Sequence, residues 1–147
     1  MKYLIQLLYL SKSAPGIGSS DLVNILATSS NRNRASGITG ILCHKDGYFL
    51  QLLEGEEAPV LELYLKIIRD PRHTDQVIIG ISTATSRIFK GWAMGALDEN
   101  LVPKDYGKEI LSLRNSKTEQ DTALSKMRRL RVLLGKSTGS GGKKLIR

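Results

Sequence analysis

One cysteine, Cys43, among 147 residues excludes an internal disulfide framework. No apolar run approaches the roughly 18 residues of a membrane-spanning helix, and Gln6 interrupts the N-terminal apolar stretch before a secretory core could form. Together these absences set the expectation of a soluble, cytoplasmic protein. Two histidines and one cysteine, far apart in sequence, give no metal-ligand spacing. There is no Walker-type phosphate loop, and Gly16-Ile17-Gly18-Ser19-Ser20 lacks the third glycine of a dinucleotide fingerprint. No Ser or Cys pairs with a His in a hydrolase pattern, so conventional hydrolytic chemistry is not expected. Aromatic residues are scarce at 5%, too few for a sheet that stacks RNA bases on exposed rings.

With 41% apolar and 24% charged residues, the composition is that of one ordinary globular domain with a short extension. The net charge of +8 suggests nucleic acid only until its distribution is read. Residues 1–100 carry ten Lys/Arg and ten Asp/Glu, whereas residues 101–147 carry twelve against four. The domain is electrically balanced, and the excess belongs to a C-terminal appendage.

Residues 2–10 are rich in Leu, Ile and Tyr and precede the turn formers Ser11 to Gly16, which predicts a buried first strand. Leu22, Val23, Ile25 and Leu26 recur at helical spacing after Ser19 and Ser20, which offer N-cap oxygens, and the pattern stops in the polar run 29–34. Asn31 and Asn33 read there as helix terminators. Residues 38–43 and 48–53 form two apolar runs joined through Asp46-Gly47, a strong hairpin signal. Val60, Leu61, Leu63, Tyr64, Ile67 and Ile68 predict a second helix, with Pro59 in its first turn and a stop at Asp70-Pro71. Residues 77–82 predict a fourth strand and residues 92–97 a short fifth. The order βαββαββ implies an α+β, ferredoxin-like sheet with both helices on one face. The first domain is expected over 1–100, a helical extension over 101–135 and a flexible basic tail over 136–147. Within the extension, residues 103–113 and 118–134 have helical patterns. Leu124, Met127, Leu130 and Leu134 make an apolar stripe suited to covering the free sheet face, and its Arg-rich side suits an acidic partner, a membrane surface or nucleic acid.

Four features do not fit a bland core. Gln51 interrupts a strand that is apolar on both faces, and period two places its amide with Phe49 and Leu53. A buried amide needs polar partners, and Tyr9, on the same face as Leu7 and Ile5, is a candidate. Trp92 and Met94, two residues apart, share one face of the expected fifth strand. Asp70, Arg72 and His73 gather a carboxylate, a guanidinium and an imidazole at the end of the second helix, chemistry that suits a phosphate or ribityl chain as well as ordinary capping. The fourth feature is the pair Asn31 and Asn33 just before Gly37.

These features coincide with a family pattern. Over residues 2–98 the chain resembles BLUF domains, the blue-light sensors that use FAD. The resemblance is carried by Tyr9-Leu10-Ser11, Asn33, the run 37–42 (GITGIL), the run 47–55 (GYFLQLLEG), Asp70-Pro71-Arg72-His73 and the run 87–94 (RIFKGWAM). It implies a blue-light photoreceptor that holds FAD without a covalent bond. Tyr9 would give the excited flavin an electron and then a proton, and Gln51 would rearrange between Tyr9 and the ring. Asn33 would hold the C4 carbonyl and N3 edge, Ile25 and Ile67 would sandwich the ring, and Trp92 and Met94 would pass the change into the sheet. Arg32, Lys66, Asp70, Arg72 and His73 would meet the ribityl or phosphate end. The resemblance also implies a sensor without an output enzyme domain in the chain, a homo-oligomer, and a separate downstream signalling protein. The competing class is a ferredoxin-like module that binds RNA or a protein partner without flavin.

Overall fold

A computed structural model describes residues 3–97 and 145–146. The elements run β1 (Leu4–Ser13), α1 (Ser19–Ser36), β2 (Thr39–Lys45), β3 (Tyr48–Glu56), α2 (Glu57–Ile67), β4 (His73–Ala84), β5 (Gly95–Leu97) and the two-residue β6 (Leu145–Ile146). The sheet order is β4-β1-β3-β2-β5-β6, antiparallel except where β5 lies parallel to β2. Its first four strands have the ferredoxin-like order expected from the sequence. The helical patterns at 103–113 and 118–134, the apolar stripe and residues 136–144 lie outside the described residues.

Alternation decides which side chains meet the helices. On β1, Ile5, Leu7 and Tyr9 point to the helix side, joined by Leu42 of β2 and by Phe49 and Leu53 of β3. Leu26 of α1 and Val60 and Leu63 of α2 close over them, so both helices pack on one face. The opposite parity, including Leu8, Ile41 and Leu52, is also fully buried. A strand apolar on both faces is the pattern of a sheet buried on both sides, and Cys43 belongs to this second layer. Burial pushes its thiol up to about 12, so the residue is an inert part of the core.

β4 starts at His73, not at residue 77, α2 ends at Ile67, before Asp70-Pro71, and three further boundaries differ from the sequence reading. Helix α1 starts from Gly18, not from Ser19 or Ser20, because the third helical residue, Asp21, turns its carboxylate back to accept the Gly18 N–H at 2.9 Å. It runs past Asn31 and Asn33 to Ser36 and ends where Gly37 adopts φ 68°, a conformation that costs glycine little. Asn33 is therefore an interior helical residue, whose side chain was free to be used elsewhere. The third difference is β5, which is only Gly95–Leu97, so Trp92 and Met94 lie in the connection before it and not on one strand face. The Trp92 ring folds back on Gly95, where a Cβ would overlap its atoms.

Candidate functional site

Tyr9 and Gln51 sit directly opposite one another in the β1–β3 ladder, and Leu42 faces Gln51 from β2. Both polar side chains are nearly sealed, at 3% and 5% exposure. The Tyr9 hydroxyl donates to Gln51 Oε1, and Gln51 Nε2 donates to the Met94 thioether at 3.4 Å. The amide is thus read at both ends: its oxygen by a phenol, its nitrogen by sulfur. The β1–β4 register shifts at Leu8/Tyr9 and again at Leu10/Lys12, an irregularity of the kind that re-aims side chains beside functional sites.

Tyr9 packs against Tyr64 at a ring separation of 5.3 Å and edge-on to His73 at 6.3 Å. Burial raises its pKa well above the ordinary tyrosine value, reinforced by the nearby Tyr64 and Asp70. A neutral phenol with one acceptor is therefore the resting state. His73 is clamped from two sides, with Nε2 2.5 Å from the Ile67 carbonyl and Nδ1 2.7 Å from Ser11 Oγ. A carbonyl can only accept, so the proton lies on Nε2, and in the neutral ring Nδ1 accepts from Ser11. Both ring nitrogens are occupied by the protein. His73 thus ties the end of α2 to β1 and offers the cavity its ring, not a free nitrogen.

A cavity of about 450 Å³, counting its mouth, opens above this pair between the two helices. Tyr9, Leu42, Phe49 and Gln51 line it from the sheet, Ile25, Ser29 and Arg32 from α1, Ile67 from α2, Asp70 and Arg72 from the segment after it, and His73 from the start of β4. Ile25, Ser29 and Arg32 are spaced i, i+4 and i+7, one face of a helix. At the mouth Arg72 Nε bonds both Asp70 oxygens, at 2.9 and 3.0 Å, and the Arg72 amide adds a 3.0 Å bond to Oδ1. The bond from the Arg72 side chain holds the Asp70 carboxyl below the usual carboxylate range, and Asp70 raises Arg72 in return. Two guanidiniums against one carboxylate leave the lining net positive, which suits a phosphate-bearing ligand.

Of the residues singled out from sequence, the structure brings Tyr9, Gln51, Ile25, Ile67, Arg32, Asp70, Arg72 and His73 to one cavity. Lys66 is exposed on α2 and does not line it. Asn33, Trp92 and Met94 are also off the lining, but Asn33 is only 1% exposed and donates through Nδ2 to the Ala93 carbonyl at 2.8 Å. Its Oδ1 is buried with no partner among the described residues, an acceptor in want of a donor. Met94 is inside and bonded to Gln51, whereas Trp92 is half-buried. Sequence reasoning missed Ser29, Leu42 and Phe49 as lining residues. Each was recoverable from periodicity: Ser29 falls one turn beyond Ile25, and Leu42 and Phe49 share the sheet face of Gln51.

An apolar slot between two isoleucines, a cationic mouth and an orphaned buried amide oxygen together fit a flat heteroaromatic ring with a phosphate-bearing tail. A family model described as BLUF, sensors of blue-light using FAD, matches residues 4–95. The photoactivated adenylate cyclase subunit beta of Euglena gracilis is 35% identical over 100 residues, 67% of this chain and 12% of that protein. Among solved structures, the dark state of BlrB, a BLUF protein, matches with TM-score 0.74 at 27% identity, covering 90% of this chain and 98% of that one. A bacterial light-regulated adenylyl cyclase matches with TM-score 0.65 at 31% identity, over 90% of this chain and 39% of that one. The chain thus spans a small part of the curated cyclase subunit and nearly the whole of BlrB.

Proposed function

The chain belongs to the BLUF family of blue-light sensors that use FAD, and from that membership we propose that Tyr9 and Gln51 are its photoactive pair and that its signal passes to a separate effector. The bound flavin supplies blue-light absorption and a strongly oxidising excited state. Ile25 and Ile67 hold the ring, Asn33 Oδ1 accepts from its polar edge, and Arg32 and Arg72 meet the phosphate end. Lys66 is exposed, and only an extended tail would reach it.

The observation that carries this reading is the chain of bonds from Tyr9 through Gln51 to Met94. When Tyr9 loses an electron its phenol becomes strongly acidic, and the one acceptor beside it is Gln51 Oε1. When the electron and the proton return to Tyr9, an amide that has rotated meanwhile has exchanged its donor and acceptor ends with no change in net charge. Rotation turns Gln51 Oε1 toward the Met94 sulfur, acceptor against acceptor, and the 3.4 Å bond is lost. The switch therefore reaches the segment before β5 through the loss of one contact.

The direct experiment is to purify the chain and illuminate it. A yellow protein that releases FAD on denaturation and shows a reversible red shift under blue light is the expected result. A protein that stays colourless after reconstitution with FAD overturns the reading. Because Tyr9 stays neutral in the fold, the amplitude of the red shift should be flat from neutral pH to about pH 10, the ordinary tyrosine value. The sign follows from the raised pKa. The stability Tyr9 contributes is complete below about pH 10 and is lost as pH climbs toward the folded value. A loss of amplitude with a midpoint below that of a free tyrosine, in protein still folded by circular dichroism, contradicts a sealed phenol.

The curated relatives carry cyclase in their names, and nearly all of their length lies outside the match. Supporting a separate effector here is the correspondence with BlrB, whose chain is covered almost completely. A homo-oligomer, and an acidic or nucleic-acid partner for the basic stretch 101–147, belong to the same proposal, as does a domain boundary near residue 100, where the family match has ended. Among the described residues no helix is long and apolar enough to cross a membrane. RNA reading by the sheet is disfavoured because Tyr9 and Phe49, the aromatics of its central strands in the core, are buried beneath the helices.

A further inference from the structure

Glu54 lies three residues after Gln51 on β3 and points to the other face of the sheet. Its side chain is fully buried, and burying a carboxylate is costly unless every lone pair is used. Here Oε2 accepts from Gln6 Nε2 at 2.9 Å and from the Ile88 amide at 2.7 Å. Oε1 accepts from the Phe89 amide at 2.8 Å and from the Thr39 hydroxyl at 3.1 Å. The Thr39 oxygen in turn accepts from Arg87 at 2.8 Å, so its proton is committed to Glu54. Arg87 also donates to the backbone carbonyls of Glu54 at 3.2 Å and Gly37 at 2.7 Å. Three consecutive residues, Arg87, Ile88 and Phe89, are therefore pinned to β3 and the start of β2.

The segment beyond this clasp is the one that Gln51 reads. The Trp92 amide donates to the Phe89 carbonyl at 3.0 Å, and the Trp92 carbonyl accepts from the Gly40 amide at 3.0 Å. The next two residues supply the Ala93 carbonyl to Asn33 and the Met94 sulfur to Gln51. One short segment is thus anchored from one face of β3 and read from the other.

Resting on the assignment of Gln51 as the switch, we propose that Glu54 is a positioning residue of the light response. It holds residues 87–94 in the register that brings Met94 to Gln51 and Ala93 to Asn33. Reversal of Gln51 releases the Met94 side chain while the clasp keeps residues 87–89 fixed, so the rearrangement is confined to residues 90–94 and reverses in the dark. A carboxylate suits this task because it accepts two adjacent backbone amides along with two side chains. An amide at the same position would turn its NH2 against one of those donors.

The test uses the full FAD-loaded chain and three variants: Glu54→Gln, Glu54→Ala and Gln6→Leu. Trp92 is the only tryptophan, so its fluorescence reports the segment directly. Both Glu54 variants should keep flavin and the red shift, recover in the dark about tenfold more slowly, and lose the light-dependent change in Trp92 fluorescence. Gln6→Leu removes one donor to the carboxylate without touching the segment and should recover at the wild-type rate. A purely structural role would lower the melting temperature in the Gln6 and Glu54 variants alike and leave recovery and Trp92 unmoved, which overturns the proposal. If neither Glu54 variant folds, Arg87→Met carries the test by the same two readouts. A wild-type chain without a red shift refutes the photosensor reading itself. A normal wild-type photocycle with unaltered Glu54 variants refutes only the clasp.

Discussion

Gln51→Leu should retain flavin and lose the light-induced red shift entirely. Leucine has nearly the volume of glutamine, and Leu42, Phe49 and Leu53 already make that face of the sheet apolar, so the substitution packs without a new void. What disappears is the one group that connects the Tyr9 hydroxyl to the Met94 sulfur. Tyr9 is left as a sealed donor with no acceptor, a cost of about 1–3 kcal/mol that a denaturant titration would read as a lower midpoint with unchanged slope. Tyr9 still lines the cavity, so it can still give up an electron and the flavin should stay weakly fluorescent. Quenching without a spectral shift is therefore the expected signature, and a wild-type difference spectrum from this variant would remove Gln51 from the switch.

The legible parts of the molecule were those set by periodicity. The first four strands, both helices and the burial of Tyr9 and Gln51 on strand faces, which made Tyr9 a candidate partner, follow from alternation and helical spacing, because one strand face must be buried and a one-residue slip would invert it. The Asp46-Gly47 turn fixes the β2–β3 register, with φ of 53° and 79° at the two residues. What sequence could not give is equally specific. Periodicity alone reads Asn33 as a helix end, its role comes only with the family resemblance, and the position of Gly37 at the true C-cap makes it an interior helical residue. Trp92 and Met94 were misplaced on a strand because their apolar run continues into β5. The ladder of β5 begins only at Gly95. Glu54 drew no attention as a lone carboxylate near a strand end, where solvent exposure is the ordinary expectation. Its partners Ile88 and Phe89 lie more than thirty residues away and donate through backbone, which leaves no trace in side-chain pattern.

Tyr9→Phe should abolish the photocycle by a different route, and the difference identifies which residue does what. Phenylalanine keeps the ring against Tyr64 and His73, so packing is preserved, but it is a poorer electron donor and has no proton to pass to Gln51 Oε1. The red shift should vanish while flavin fluorescence rises several-fold, the reverse of the quenched state expected for Gln51→Leu. Gln51 Oε1 is then the orphan, again at about 1–3 kcal/mol. Combining the two substitutions removes donor and acceptor together, so the double variant should be less destabilised than the sum of the singles, with a coupling of about 1–3 kcal/mol. Strict additivity would mean that the phenol and the amide do not share a bond in solution. A light-induced shift surviving in Tyr9→Phe, with fluorescence still quenched, would move the electron donor to another residue. The half-buried Trp92 is the next ring to test, through Trp92→Phe in the same background.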